Sequence, residues 1–332
     1  MLIYIARRLL LMIPTLLVIS FLVFVIIQAP PGDYLTNEIN ECMARGEFGC
    51  AQKIAQLKDT YNLDKPFLEQ YALWVIGLLQ GDLGYSFEHQ LPVADVMGDR
   101  LWLTIVVTFA TILFTWAVAF PIGVYSAVYQ YSVSDYVVTF IGILGLAVPS
   151  FLFALILLYF ANVFFGLSIG GLMDPRYIDA PWSWGKLMSI LGHLWIPTII
   201  IGASGTAGMI RRLRANLLDE LHKQYVVTAR AKGLPFWRAL IKYPLRMSLN
   251  PFIADIGTLL PELVSGAVIV SVVMSLPTTG PMLLDSLRSQ DMYLAGSFLM
   301  FLALLTVVGV LLSDLALAML DPRIRLGGAA TK

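Results

Sequence analysis

Charge is scarce in this chain. Only 13% of its 332 residues are Asp, Glu, Lys or Arg, and the 22 basic side chains cancel the 22 acidic ones. A net charge of zero makes no electrostatic case for a nucleic acid or an acidic partner, so the information lies in where each sign sits. Histidine is rarer: His89, His193 and His222 occupy separate segments, and there is neither an H-E-x-x-H run nor a paired-cysteine metal spacing. A G-x-x-x-x-G-K-[ST] phosphate loop is also missing, which argues against an ATP site in this chain. No Ser, His and acidic set falls together on one side, so nothing supports an enzyme. Internal repeats and low-complexity runs are likewise lacking.

What the chain has in abundance is apolar surface. Hydrophobic residues make up 58% and the mean hydropathy is +0.78, far above a soluble domain of this length. An all-α integral membrane protein is expected. A helix needs about 20 apolar residues to cross a bilayer core of roughly 30 Å. Six stretches qualify: 9–28, 101–129, 137–165, 187–210, 251–275 and 294–320. The first follows Arg7 and Arg8 in the manner of a signal peptide. Its length and the lack of an A-x-A site favour a retained span.

Orientation follows from the excess of Lys and Arg on the cytoplasmic side. Six spans place Arg7 and Arg8, the cluster from Arg211 to Arg246, and Arg323, Arg325 and Lys332 on one side, so both termini are expected in the cytoplasm. Residues 30–100 then face outward and carry more acidic than basic groups. Helical spacing within 52–63 and 67–80 predicts a small external cap of two or three helices, with Tyr71, Trp74, Leu78 and Leu79 against the membrane interface or the spans. Gly81, Gly84 and Pro92 punctuate the stretch between this cap and the second span. Cys42 and Cys50, with seven residues between them, close a short disulfide loop if this side is oxidising and otherwise stay as two thiols. The expected division is 1–29 as tail and first span, 30–100 as external segment, 101–326 as membrane core, and 327–332 as tail.

Ionisable groups inside spans are costly enough to count as functional candidates. Asp255 and Glu262 lie seven residues apart, two helical turns, on one predicted face; Asp314 is a third. They either line a solute path or bond to neighbouring hydroxyls and backbone. The second reading suits Asp255 and Asp314, which lie nearer helix ends. His193 reads as a hydrogen-bonded packing residue. Pro121, Pro149, Pro197 and Pro261 interrupt spans and offer places for a kink or hinge.

The longest polar insertion, within residues 211–250, begins as a short helix near Tyr225. Gly233-Leu234-Pro235 breaks it, and a second helix is predicted over 236–249 with Arg238, Lys242 and Arg246. It either fixes topology beside anionic lipid or offers a grip to a soluble partner. The small residues Ala229 and Ala231 favour the grip.

The sequence TARAKGL at 228–234 resembles the coupling loop of permease subunits in bacterial ATP-binding-cassette importers, in the dipeptide, oligopeptide and nickel branch. LDKPFLEQYALWVIGLLQGDLGYSF at 63–87, LPELVSGAVIV at 260–270, LDPRIRL at 320–326 and the opening YIARRLLLMIPTLL are similar to the same family. The resemblance covers nearly the whole chain and implies a type I importer permease fold. It also implies a homologous second permease, two cytoplasmic ATP-binding subunits and a periplasmic substrate-binding protein. ATP and Mg would reside on the partners and no cofactor on this chain. Thr228, Ala229, Arg230, Ala231, Lys232, Gly233 and Leu234 would contact the ATPases, and Asp255, Glu262, Ser265 and Ser271 would line the path.

Three departures stand out. Val227-Thr228-Ala229 replaces the common Glu-Ala-Ala opening of the loop, Ser271 stands where relatives carry glutamate, and Pro277-Thr278-Thr279-Gly280 replaces a Pro-Gly-x-Gly turn. Residues 37–49 also look longer than the usual peptide-type version. The solute is therefore left open between a peptide and an oligosaccharide or other polar solute. An ion-coupled secondary transporter using Asp255 and Glu262 is the alternative of a different class.

Overall fold

The computed structural model describes residues 2–28, 65–165, 170–177, 180–255 and 267–320. Cys42, Cys50, Pro261, Glu262, Ser265 and the helix expected over 52–63 lie outside the described residues.

Helix α1 (Leu2–Gln28) is 27 residues long, about 40 Å at 1.5 Å per residue, and tolerates Pro14 in its interior. It runs antiparallel to the last helix, α13 (Met292–Leu320): Arg8 pairs with Asp314 at one end (3.1 Å) and Gln28 reaches Met292 at the other. Leu10, Ile13, Val18 and Ile26 are all more than half exposed, as expected of a face turned to lipid.

The segment between the first two expected spans contributes α2 (Phe67–Gln80), then a hairpin of two-residue strands, β1 (Tyr85–Ser86) and β2 (Leu91–Pro92). Among the described residues the cap is thus one helix and a hairpin. The expectation for Tyr71 and Trp74 holds: both rings pack on Phe24 of α1, and the Tyr71 hydroxyl meets Ser20 Oγ at 2.7 Å. Leu79 is 83% exposed and so does not pack on the spans, which leaves the membrane interface for it. Gly84 has φ +84°, and a Cβ there would stand 2.4 Å from the Tyr293 ring, so only glycine lets the hairpin lie on α13. Buried Asp291 completes the junction, accepting from Ser86 Oγ (2.6 Å) and from the Leu294 N–H (3.3 Å). Burial pushes its carboxyl above the ordinary range, against those hydrogen bonds.

Helix α3 (Val93–Val128) begins at Val93 rather than at 101. Pro92 presets the entry, and no proline follows before Pro121, so Asp95 and Arg100 become helical rather than loop residues. It packs alongside α6 (Trp184–Leu221) in parallel. Gly202 admits Phe114 (2.8 Å from a would-be Cβ), Gly123 admits Leu213 (3.1 Å), and Ala127 meets Leu217 at the far end. Small residues let two apolar helices approach closely where no water drives them together.

The span expected over 137–165 is not continuous. It is α4 (Val133–Ala147) and α5 (Ser150–Phe165), bent by 99° at Val148–Pro149. Pro149 has no N–H to continue α4, and it steers Val148 to extended angles, φ −86° and ψ 122°. Pro121 and Pro197 by contrast sit within unbroken helices.

After α6 come α7 (Gln224–Ala231), α8 (Phe236–Lys242), α9 (Pro244–Ser248) and α10 (Asn250–Ala254). The single helix expected over 236–249 is split, because Tyr243 leaves helical angles (φ −120°, ψ −78°) and Pro244 starts a new turn. The chain continues with α11 (Val268–Val273) and α12 (Thr279–Arg288). Four described helices are long and apolar enough to cross a membrane, or five if the bent pair counts as one span. The remaining expected span, 251–275, includes residues 256–266, which lie outside the described residues.

Candidate path and coupling surface

The break at Gly233 is built as the residues require. The N–H groups of Lys232 and Gly233 close α7 onto Thr228 and Arg230 carbonyls, Gly233 turns at φ +86°, and Pro235 opens α8. Nothing approaches a Cβ at Gly233 within 4 Å, so the turn projects into open space. Thr228, Arg230, Ala231, Lys232 and Gly233 are exposed and Leu234 partly so. Ala229 is 7% exposed and faces its own chain, whereas Ala231 and Gly233 are exposed.

This segment is tied to the membrane helices. Leu240 of α8 is 1% exposed in a cluster with Ala127 of α3 and Leu217 of α6. Glu220, in the last turn of α6, accepts from Lys223 Nζ at 2.7 Å and from the Tyr225 hydroxyl of α7. Burial and the Glu220 carboxylate push the Tyr225 phenol well above its usual range, so it stays a donor. Nearby, Asp135 at the start of α4 is 3% exposed and accepts two hydrogen bonds from the Arg214 guanidinium of α6, at 2.9 and 2.8 Å. Ser126 Oγ and the Tyr131 N–H complete its shell.

Between α3 and α6 lies a cavity of about 510 Å³ walled by Thr108, Thr111, Thr115, Ser150 and Ser204, with Arg211, Arg212 and Asp255 at the end nearer α7. Hydroxyls at 108, 111 and 115 repeat at helical spacing and so share one face of α3. They give an otherwise apolar helix a wettable stripe. A second cavity, about 440 Å³ between α4 and α6, is almost wholly apolar and has little to offer a polar solute.

Of the path residues expected from sequence, Asp255 reaches this cavity, where Arg212 pairs with it at 2.8 Å. Ser271 is 3% exposed, within the short helix α11. Asp314 pairs with Arg8 rather than with a neighbouring hydroxyl or carbonyl. His193 bonds the Ser189 carbonyl at 2.8 Å, as a packing residue should. Sequence reasoning missed the threonine stripe, although its spacing was visible, and the Asp135–Arg214 pair, whose partners stand 79 positions apart.

Residues 119–326 match the family described as binding-protein-dependent transport system inner membrane component, and residues 1–108 match its N-terminal companion. The chain belongs to this family. Its members are permeases of ABC importers, and the peptide branch named by the relatives is the branch to which the motifs pointed. The oligopeptide transport system permease protein AppB of Bacillus subtilis is 33% identical over 322 residues, covering 97% of this chain and 98% of the relative. The dipeptide transport system permease protein DppB of Escherichia coli K12 is 30% identical over 342 residues, covering 98% and 99%. The glutathione transport system permease protein GsiC of Escherichia coli O6:H1 is 29% identical over 327 residues, covering 98% and 99%. The permease is therefore a helical inner-membrane component with the type I importer fold, in a family whose members lack an ATPase site of their own.

Proposed function

We propose that this permease forms half of a translocation path for a peptide-like solute and is driven through residues 225–250 by cytoplasmic ATPases. A homologous permease would supply the other half, two ATP-binding subunits the ATP and Mg, and a periplasmic binding protein the solute. Both termini would be cytoplasmic, with 1–29, 30–100 and 101–326 serving as first span, external segment and core. Names of relatives that handle dipeptides, oligopeptides and glutathione support a peptide over an oligosaccharide.

The observation that carries this reading is mechanical. The exposed turn at Gly233 sits on helices whose buried side chains lock onto the ends of α3 and α6, and the same two helices wall the hydroxyl-lined cavity. A push on the turn would therefore tilt the walls of the path. Asp255, the carboxylate an ion-coupled transporter would use, is engaged by Arg212.

Replacing Gly233 by alanine costs about 1 kcal/mol or a little more of backbone strain at a positive φ, and collides with nothing in this chain. A tryptophan there starts from the same unobstructed Cβ and carries a bulk that a docked partner would have to accommodate. Gly233→Trp is expected to reach the membrane in normal amount, to abolish uptake by the reconstituted importer, and to leave ATP hydrolysis uncoupled from transport. Normal uptake by that variant would overturn the coupling role.

A further inference from the structure

At the end of α3 and α6 opposite the coupling segment lies a cavity of about 690 Å³ that the path just described does not include. Arg100 and Trp102 enter it from α3, Lys186 from α6, and Ser275 and Pro277 from the turn after α11. Its two cations come from different helices. Arg100 is partly buried yet makes no hydrogen bond or ion pair through its guanidinium among the described residues; Asp285 acts on it only across space. Lys186 is 9% exposed, donates to the Ala180 carbonyl at 2.8 Å, and lies 5.5 Å from the Trp182 ring centre. A guanidinium withdrawn from water, with its donors unspent and a second cation opening into the same cavity, suits an anionic oxygen pair.

Position identifies which anion. Arg100 heads a series on α3 that continues through Thr104, Thr108, Thr111 and Thr115, at spacings of four, four, three and four residues, hence along one face. Thr104 is spent holding the turn, accepting from the Thr279 N–H at 2.9 Å. The other three threonines line the cavity proposed as the path. Arg100 therefore marks the opposite mouth of the same polar stripe.

We infer that Arg100 and Lys186 bind the terminal carboxylate of the transported peptide as it enters the path. This rests on the proposed function. The same donors suit a lipid phosphate, since Trp102 and Trp182 are 54% and 60% exposed, as aromatic residues at a membrane interface are. The experiment must separate the two.

The complete importer, with its ATPases and binding protein, is reconstituted in liposomes containing phosphatidylglycerol. Uptake of one peptide that the binding protein accepts is compared between its free acid and its C-terminal amide. The preference of the isolated binding protein, measured by titration, is divided out. Loss of a charge-assisted hydrogen bond is worth about tenfold or more. Arg100→Gln and Lys186→Gln are each expected to lower the corrected acid-to-amide ratio by about that factor, and Arg100→Lys to retain most of it. Co-elution of the subunits verifies assembly, and should one Gln variant fail to assemble the other carries the same test. An unchanged ratio in an assembled Gln variant would refute the inference. So would loss of copurifying phosphatidylglycerol with the ratio intact, which would assign the site to lipid. If the wild-type importer moves neither form of any peptide that its binding protein accepts, the peptide reading of the function fails instead.

Discussion

The ion pair between Asp135 and Arg214 joins α4 to α6 just ahead of α7, and its two members are unequally placed. Asp135 is 3% exposed, whereas the Arg214 side chain is 25% exposed. Removing the arginine strands a carboxylate with only Ser126 and the Tyr131 N–H as donors. Breaking a buried pair in this way costs roughly 3–5 kcal/mol, and the two surviving donors put Arg214→Gln near the lower figure. Removing the carboxylate strands a long cation that can swing its head toward water or lipid headgroups, so Asp135→Asn is expected to cost about 1–2 kcal/mol. The double variant removes both charges and should be less destabilised than the sum, with a coupling of about 1–3 kcal/mol. Denaturation of the purified permease in lipid nanodiscs, followed by intrinsic fluorescence across the four-protein cycle, measures all three quantities. Asp135→Asn costing as much as Arg214→Gln, or a coupling below about 0.5 kcal/mol, would refute the argument from unequal burial.

Three further expectations rest on local geometry. Thr104→Val removes the hydroxyl that accepts from the buried Thr279 N–H and should cost about 1–3 kcal/mol in the same denaturation assay. Gly280→Ala would place a Cβ 2.9 Å from the Val268 Cα, so α11 or the turn must move; about 1–3 kcal/mol of destabilisation is expected, and a neutral outcome would mean the contact relaxes freely. Burial raises the Asp291 carboxyl, so the folded permease binds that proton more tightly than the unfolded chain. Its stabilising contribution is complete below the ordinary carboxylate pKa and is lost as pH rises through the raised one. Unfolding midpoints from pH 4 to pH 7 should therefore fall more steeply for wild type than for Asp291→Asn, and parallel curves would contradict this.

The fold was legible where local chemistry decides it. Apolar run length marked α1, α3, α6 and α13, and Gly233 with Pro235 marked the turn that separates α7 from α8. Prolines were legible as interruptions but not in their consequences: Pro121 and Pro197 stay within unbroken helices, while Pro149 turns the chain by 99°. Whether a missing N–H bends a helix depends on what packs around the break, which local sequence does not encode. The start of α3 was misplaced because charged Asp95 and Arg100 resemble loop residues until the structure shows that they form its first turns.

By itself the sequence determined that this is a membrane permease of the binding-protein-dependent family, and which segment is polar enough to meet a soluble partner. Those conclusions depend on hydropathy and motifs within a few residues of one another. Tertiary structure alone decided what the scarce charges do. Asp314 answers Arg8, Asp255 answers Arg212, Asp135 answers Arg214, and Arg100 is left facing a cavity with Lys186. In a medium that penalises every uncompensated charge, such assignments are set by which helices pack side by side, and local periodicity does not specify that.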